Sequence, residues 1–258
     1  MEMMHLIIPD GHASPGFSNE RFDYVGKLIL DRRPTTVVCI GDLFDMASLS
    51  SYDRGKKDFQ GRTYLKDIES GLDALHRIDG PLNSYNAQRK KNGKAQYKPR
   101  KVFCIGNHEE RIERAINLQP ELDGVVGYAD FQLGENGWEV QPFLIPLQID
   151  GVFYNHYFIT GVSGEPISGL NPAASIVAKQ MESCISGHTH VWDCAIRNSP
   201  SGRMVISVVV GCLVDYPMKY ATATQHLWWS GVTILNNVHD GEFDIEQISL
   251  SRLKEMYG

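Results

Sequence analysis

Asp10, His12, Asp42, Asp45, Asn107, His108, His156, His188 and His190 all fall at or near the ends of short apolar runs. Carboxylate, imidazole and amide oxygen are the donors that first-row divalent cations accept, and thiolate is missing from the set. Metal chemistry is therefore the first expectation. In an extended segment residues i and i+2 point to the same side, which would pair Asp10 with His12 and His188 with His190, while adjacent residues diverge. Asn107 could then face a metal while His108 projects over a substrate. Gly41, Gly106 and Gly187 each directly precede a candidate ligand, where a missing Cβ permits a sharp turn or a close approach. Taken alone, His156 would read as a core histidine; in this company it reads as a ligand.

The positioning elements are legible as well. His5 to Pro9 is an extended run that stops at Asp10-Gly11-His12. Phe22, Val25, Leu28 and Ile29 recur at helical spacing before Pro34. Thr36 to Ile40 ends at Gly41-Asp42, and Val102 to Ile105 ends at Gly106-Asn107-His108. Between them Leu65, Ile68, Leu72, Leu75 and Ile78 predict one apolar helix face, with Gly80-Pro81 as its stop. From Trp138 the pattern becomes strands and turns: Trp138 to Ile149, an Asp150-Gly151 hairpin turn, and Val152 to Phe158. After a helix over Ala173 to Met181 come Cys184 to Ser186, Val191 to Ile196, Met204 to Val210, Leu227 to Leu235 and Phe243 to Ile248, with a turn at Asn198 to Gly202. Two packed sheets with helices outside follow from this order. Most candidate ligands then lie at carboxyl ends of strands, the edge where open α/β sheets bind ligands.

The chain has 258 residues, 42% of them hydrophobic, enough for one large domain and against disordered or disulfide-scaffold classes. Twenty-five Lys and Arg against 31 Asp and Glu give a net charge of −6, so the surface as a whole is not built to coat nucleic acid or anionic lipid. Leu6-Ile7-Ile8 is too short for a signal peptide or a membrane span. Five cysteines without a CxxC spacing fit buried thiols in a reducing cytoplasm. Residues 1–258 read as a single domain, with a polar and flexible loop at 82–100. Arg89-Lys90-Lys91 to Lys101 reads as solvated loop rather than a nucleic-acid arm, lacking interleaved aromatics. Arg54, Lys56 and Lys57 are placed near the rim of the site. Arg111 and Arg114 lie on a helix where one could reach a phosphate, though ordinary helix charges explain them equally well; Trp228 and Trp229 read as sheet packing, and His5, His76, His226 and His239 as surface imidazoles.

Asp10-Gly11-His12, Gly41-Asp42-Leu43-Phe44-Asp45, Gly106-Asn107-His108-Glu109, His156 and Gly187-His188-Thr189-His190 resemble, in this order, the signature of the calcineurin-like metallophosphoesterases. The resemblance spans residues 10 to 190. It implies a two-sheet α/β/β/α sandwich flanked by helices, with one metal on Asp10, His12, Asp42 and His190 and a second on Asp42, Asn107, His156 and His188. Asp42 would bridge. The implied activity is phosphoester hydrolysis by a hydroxide shared between two divalent metal ions, manganese first, with zinc, iron, nickel or magnesium as alternatives. His108 would be the general acid, its ring held by Asp45. Asp45 matches phosphoprotein phosphatases and several nucleotide phosphodiesterases, whereas the related repair nucleases often carry His. The compact length is similar to members encoded by bacteriophages and bacteria.

The leading expectation is a phosphodiester substrate in a nucleotide or nucleic acid, acted on as a nuclease or phosphodiesterase in the cytoplasm without a membrane partner. The alternatives are a phosphomonoesterase (a protein or small-molecule phosphatase) and, from another class, a metal-bound nucleic-acid or protein interaction module. The intact ligand set speaks against the last.

Overall fold

The computed structural model describes residues 3–200, 202–218, 221 and 223–258. Met1, Glu2 and Ser201 of the expected Asn198 to Gly202 turn lie outside that set. The first sheet contains β1 (His5–Ile8), β2 (Thr36–Cys39), β3 (Arg100–Cys104), β4 (Glu139–Gln141), β10 (Gly231–His239) and β11 (Glu242–Ser249), in the order β11-β10-β1-β2-β3-β4. Strands β1 to β4 run parallel, and the β10–β11 hairpin packs on β1 through an antiparallel β10. The second sheet has the order β5-β6-β7-β9-β8, with β5 (Leu147–Ile149), β6 (Val152–Tyr154), β7 (Cys184–Ser186), β8 (Trp192–Asn198) and β9 (Met204–Val210).

Alternation along the parallel strands explains the layers. Leu6, Ile8, Val37, Cys39, Phe103 and Ile105 face a core with α1 (Glu20–Arg32), α2 (Tyr64–Lys91) and α5 (Leu250–Tyr257). Their neighbours Ile7, Val38, Val102 and Cys104 turn to the opposite face and meet Val152, Tyr154, Ile185, Val208 and Val210 of the second sheet. On the far side of that sheet Cys184 and Val209 pack with Ala173 and Ile176 of α4 (Pro172–Gln180). The expected α/β/β/α sandwich is therefore the observed fold. Strands buried on both faces read as unbroken apolar runs, which is why they were visible in the sequence.

Several boundaries differ. The second half is not a meander, because β6, β7 and β9 are mutually parallel. The single strand expected over Trp138 to Ile149 is two strands in different sheets, interrupted by Pro142, Pro146 and Leu144 at φ 57°. The hairpin turn at Asp150-Gly151 holds, with φ of 49° and 83° and Ile149 opposite Val152. Helix α2 does not stop at Gly80-Pro81 but continues to Lys91, so the expected loop at 82–100 shrinks to Asn92 through Pro99. Leu65 is exposed, and the buried face is carried by Ile68, Gly71, Ala74, Leu75, Ile78 and Leu82. The terminal helix α5 had no counterpart in the sequence reading. All five cysteines are free, and among the described residues no helix is long and apolar enough to cross a membrane.

Candidate metal centre

The expected residues converge from five strand ends. Asp10 and His12 follow β1, Asp42 and Asp45 follow β2, and Asn107 and His108 follow β3. His156 follows β6, and His188 and His190 follow β7, on the second sheet. One cluster comprises Asp10, His12 and His190, another Asp42, His156 and His188, and a third arrangement joins His12, Asp42 and His108. His12 Nε2 lies 3.0 Å from His190 Nε2, which in turn is 3.1 Å from Asp10 Oδ2. His156 Nε2 lies 2.9 Å from Asn107 Oδ1 and 3.3 Å from Asp42 Oδ2. His188 and His190 do not share a cluster as two strand residues would. Both adopt left-handed backbone, φ 69° and 61°, which aims them apart.

His12 and Asp42 are left-handed too, at 45° and 53°. Residues with β-carbons hold such conformations at a cost of roughly 1–3 kcal/mol, less for Asp and His, and they concentrate at functional sites. Close approach needs glycine beside them. A Cβ on Gly187 would stand 2.1 Å from Asp10 Oδ1, and one on Gly106 2.2 Å from Asp42 Oδ1.

Ring orientation fits cation binding. His156 Nδ1–H donates to the Ile40 carbonyl at 3.0 Å and His12 Nδ1–H to Asp45 Oδ1 at 3.1 Å, so each turns Nε2 toward its cluster. Asp10 Oδ1 is buried with no hydrogen-bond partner, an acceptor that a bound cation would satisfy. Burial raises the Asp10 and Asp42 pKa values, yet the surrounding imidazoles outweigh it and hold both carboxyls below the ordinary range. His188 is pulled down to about 4 by burial and the charge of His156. Burial also opposes the charged form of His156, but Asp42 prevails and pushes it up to about 9. Two carboxylates, four imidazoles and an amide oxygen thus fit a pair of divalent cations, with Asp42 placed between the clusters.

Asp45 does more than the sequence reading assigned to it. Besides His12, it takes His108, whose Nδ1 lies 3.1 Å from Oδ1 and 2.7 Å from the Asp45 carbonyl oxygen. Burial lowers the His108 pKa, and Asp42 and Asp45 together more than offset this, holding it above the ordinary value despite Arg111.

Three side chains that were given no role from the sequence complete the centre. Glu109 is fully buried and accepts the backbone N–H groups of Asp42 (2.9 Å), Phe44 (2.9 Å) and Gly106 (3.0 Å), clamping two ligand loops. Burial and the Asp42 charge push it up to about 7 against the Phe44 and Asp42 donors and the charge of His156. Arg111 opens α3 (Arg111–Leu118), donates to the Asp45 carbonyl at 2.7 Å, and brings Nη2 within 3.1 Å of His108 Nε2. Arg21 is buried under the first loop, donating to the Gly11 carbonyl at 2.9 Å. Only Glu109 and Arg111 carried a signal, their adjacency to Asn107-His108. Arg114 also binds this loop through the Asn107 carbonyl.

Other expectations move away from the site. Arg100 pairs with Glu139 and Lys101 with buried Asp79 at 2.8 Å, so these two are structural cations. His5 is buried, between Tyr154 Oη at 2.6 Å and Asp150 Oδ2 at 2.9 Å. Trp228 lies outside the strands with its ring edge against His190, centroids 4.1 Å apart.

No family model matches the sequence, and no curated protein matches it closely enough to count as a relative. Solved structures that resemble the chain are described as phosphoesterases, phosphatases and nucleases. Yfce, a phosphoesterase from E. coli, is 14% identical over 96% of this chain and 100% of its own, with a TM-score of 0.42. A dimetal phosphatase from Danio rerio is 10% identical over 96% of each chain, TM-score 0.44. Nuclease MPE from Pseudomonas putida is 12% identical over 94% of this chain and 87% of its own, TM-score 0.35.

Proposed function

We propose that this chain is a dinuclear metal-dependent phosphoester hydrolase of the calcineurin-like type, acting on a phosphodiester in a nucleotide or nucleic acid. One observation carries the reading: side chains spread from residue 10 to residue 190 form two cation-ligand clusters, buried except for the half-buried His188, with Asp42 between them. Two divalent cations held there would supply Lewis acidity toward a phosphoryl oxygen and lower the pKa of a water near it. Asp10, His12 and His190 would hold one cation, Asn107, His156 and His188 the other, and Asp42 both. Two carboxylates leave such a centre electropositive, which suits an anionic phosphate.

The remaining residues act on the substrate. Asp45 fixes the His108 ring by Nδ1, so Nε2 is the atom from which a proton passes to the leaving oxygen. Arg111, beside that nitrogen, is placed to donate to a phosphoryl oxygen. Five free thiols fit a reducing compartment. The Asp45–His108 pair equally suits a phosphomonoesterase.

The test is an activity panel with Mn²⁺, Zn²⁺, Mg²⁺ and Ni²⁺ against a chromogenic monoester, a chromogenic diester, cyclic nucleotides, and single- and double-stranded DNA. Preference for diesters supports the proposal. Hydrolysis confined to monoesters makes the protein a phosphatase, and no hydrolysis under any condition leaves a metal-bound interaction module.

A further inference from the structure

Beside the metal centre lies a cavity of about 720 Å³ that opens from Asp45, His108 and Arg111 and reaches Phe17 and Tyr216. That volume is in the range of about 300–1,000 Å³ that encloses a whole small molecule and exceeds what one phenyl ring fills. Phe17 is presented by a Ser14-Pro15-Gly16-Phe17 turn, with Gly16 at φ 90° and the Phe17 N–H donating to the Ser14 carbonyl at 3.2 Å. Its ring stacks on Tyr216 at 3.9 Å with 14° between the planes, and it remains 44% exposed. Tyr216 is buried and its hydroxyl donates to the His12 carbonyl, so the aromatic step is tied to a candidate metal ligand. An exposed Phe backed by a fixed Tyr is a poor core element and a ready platform for a planar ring.

Charge decides the size of the occupant. Among the described residues the lining holds as many aspartates as lysines and arginines, and Asp53 already engages both Lys56 (3.2 Å) and Arg62 (2.8 Å). A channel for a nucleic-acid strand would instead carry a positive excess along its length. Gln60 and Thr63 offer the wall donors and acceptors that can meet the edge of a base. We propose that this cavity receives a single nucleoside as the leaving group, its base stacked on the free face of Phe17 and its ester oxygen toward His108. The inference rests on the hydrolase reading and narrows it to small nucleotide esters.

The experiment compares the adenosine 5′-phosphate methyl ester with the glycerol 3-phosphate methyl ester, and the two free monoesters, in wild type, Phe17→Ala and Phe17→Trp. Both alcohols leave as primary alkoxides, so intrinsic reactivity is matched. Wild type should favour the adenosine esters by about tenfold in kcat/KM. Phe17→Ala should remove that preference through KM, and Phe17→Trp should keep it. Equal kcat/KM in wild type, a preference that survives in Phe17→Ala, or faster cleavage of single-stranded DNA would overturn the inference while leaving the hydrolase standing. If none of these esters is cleaved while a substrate of the activity panel is, the inference is overturned; if nothing is cleaved, the hydrolase reading fails, and titration of adenosine itself still decides the cavity: binding that Phe17→Ala weakens supports it, and absence of binding overturns it.

Discussion

Asp42 and His108 stand side by side yet should fail differently when altered. Asp42 reaches toward both clusters, its carboxylate standing within 4.8 Å of a His12 ring nitrogen in one and its Oδ2 3.3 Å from His156 Nε2 in the other. Asp42→Asn keeps the shape and removes the charge that offsets two cations. It is expected to lose turnover on the order of a hundredfold or more and to retain less metal after purification, read by elemental analysis. His108→Ala removes a proton donor and no ligand of either main cluster. Its turnover should fall by about 10²–10⁴ with metal content near wild type, and equal loss of metal and rate would make His108 a ligand instead. Such distinctions come from single contacts. The sequence names Asp45 and His108 as a pair, but the Asp45 bond to His12 and the Arg111 contact with His108 join residues in an arrangement that folding alone creates.

At the scale of elements, the close packing of α1 on α2 explains how a helix passes through proline. Pro81 lacks the N–H that would bond the Arg77 carbonyl, and Gly26 of α1 sits there, where a Cβ would stand 2.7 Å from that oxygen and 2.6 Å from the Ile78 carbonyl. Nearby, Arg77 also grips Asp23 of α1 at 2.7 Å. Local propensity said stop, and tertiary packing overrode it. Gly26→Ala should therefore destabilise the fold by about 1–3 kcal/mol, since backbone cannot yield cheaply. Gly80→Ala, with open space around its Cβ, should stabilise by about 0.5–1 kcal/mol. Denaturant melts of the two variants check both, and a matching sign for the pair would contradict the packing account.

At the scale of the whole molecule, the two clusters join both sheets, because Asp10, His12 and Asp42 come from one and His156, His188 and His190 from the other. Divalent cations should therefore stabilise the fold. At a hundredfold excess over Kd the gain is about 2.7 kcal/mol, roughly 5–10 °C in Tm for a chain of this size. Calorimetry with and without Mn²⁺, reversed by chelator, measures it, and an unchanged Tm would speak against bound metal. A second global effect comes from His5, which spans the sheets through Tyr154 and Asp150. Burial lowers its pKa, with Asp150 opposing, so the folded chain keeps His5 neutral below 6.5 while the unfolded chain takes up a proton. Its contribution is thus complete above 6.5 and is lost as pH falls below that value, by at most about 1.4 kcal/mol per pH unit. His5→Gln should flatten the acid limb of stability against pH measured by urea melts.

What the linear sequence determined is the alphabet of the site and the strands that carry it. Apolar runs that end in Asp, Asn or His, three of them after Gly41, Gly106 and Gly187, are local patterns and need no knowledge of what lies across the molecule. Tertiary structure decided the means by which the ligands divide as the resemblance implied, since left-handed backbone at His188 and His190 sends two residues of one strand end to different clusters. It also decided the burial of His5, the continuation of α2 and the Phe17–Tyr216 step beside the metal centre. Each of these depends on a partner dozens to hundreds of residues away, so its energy is set by packing and charge proximity that no local spacing records.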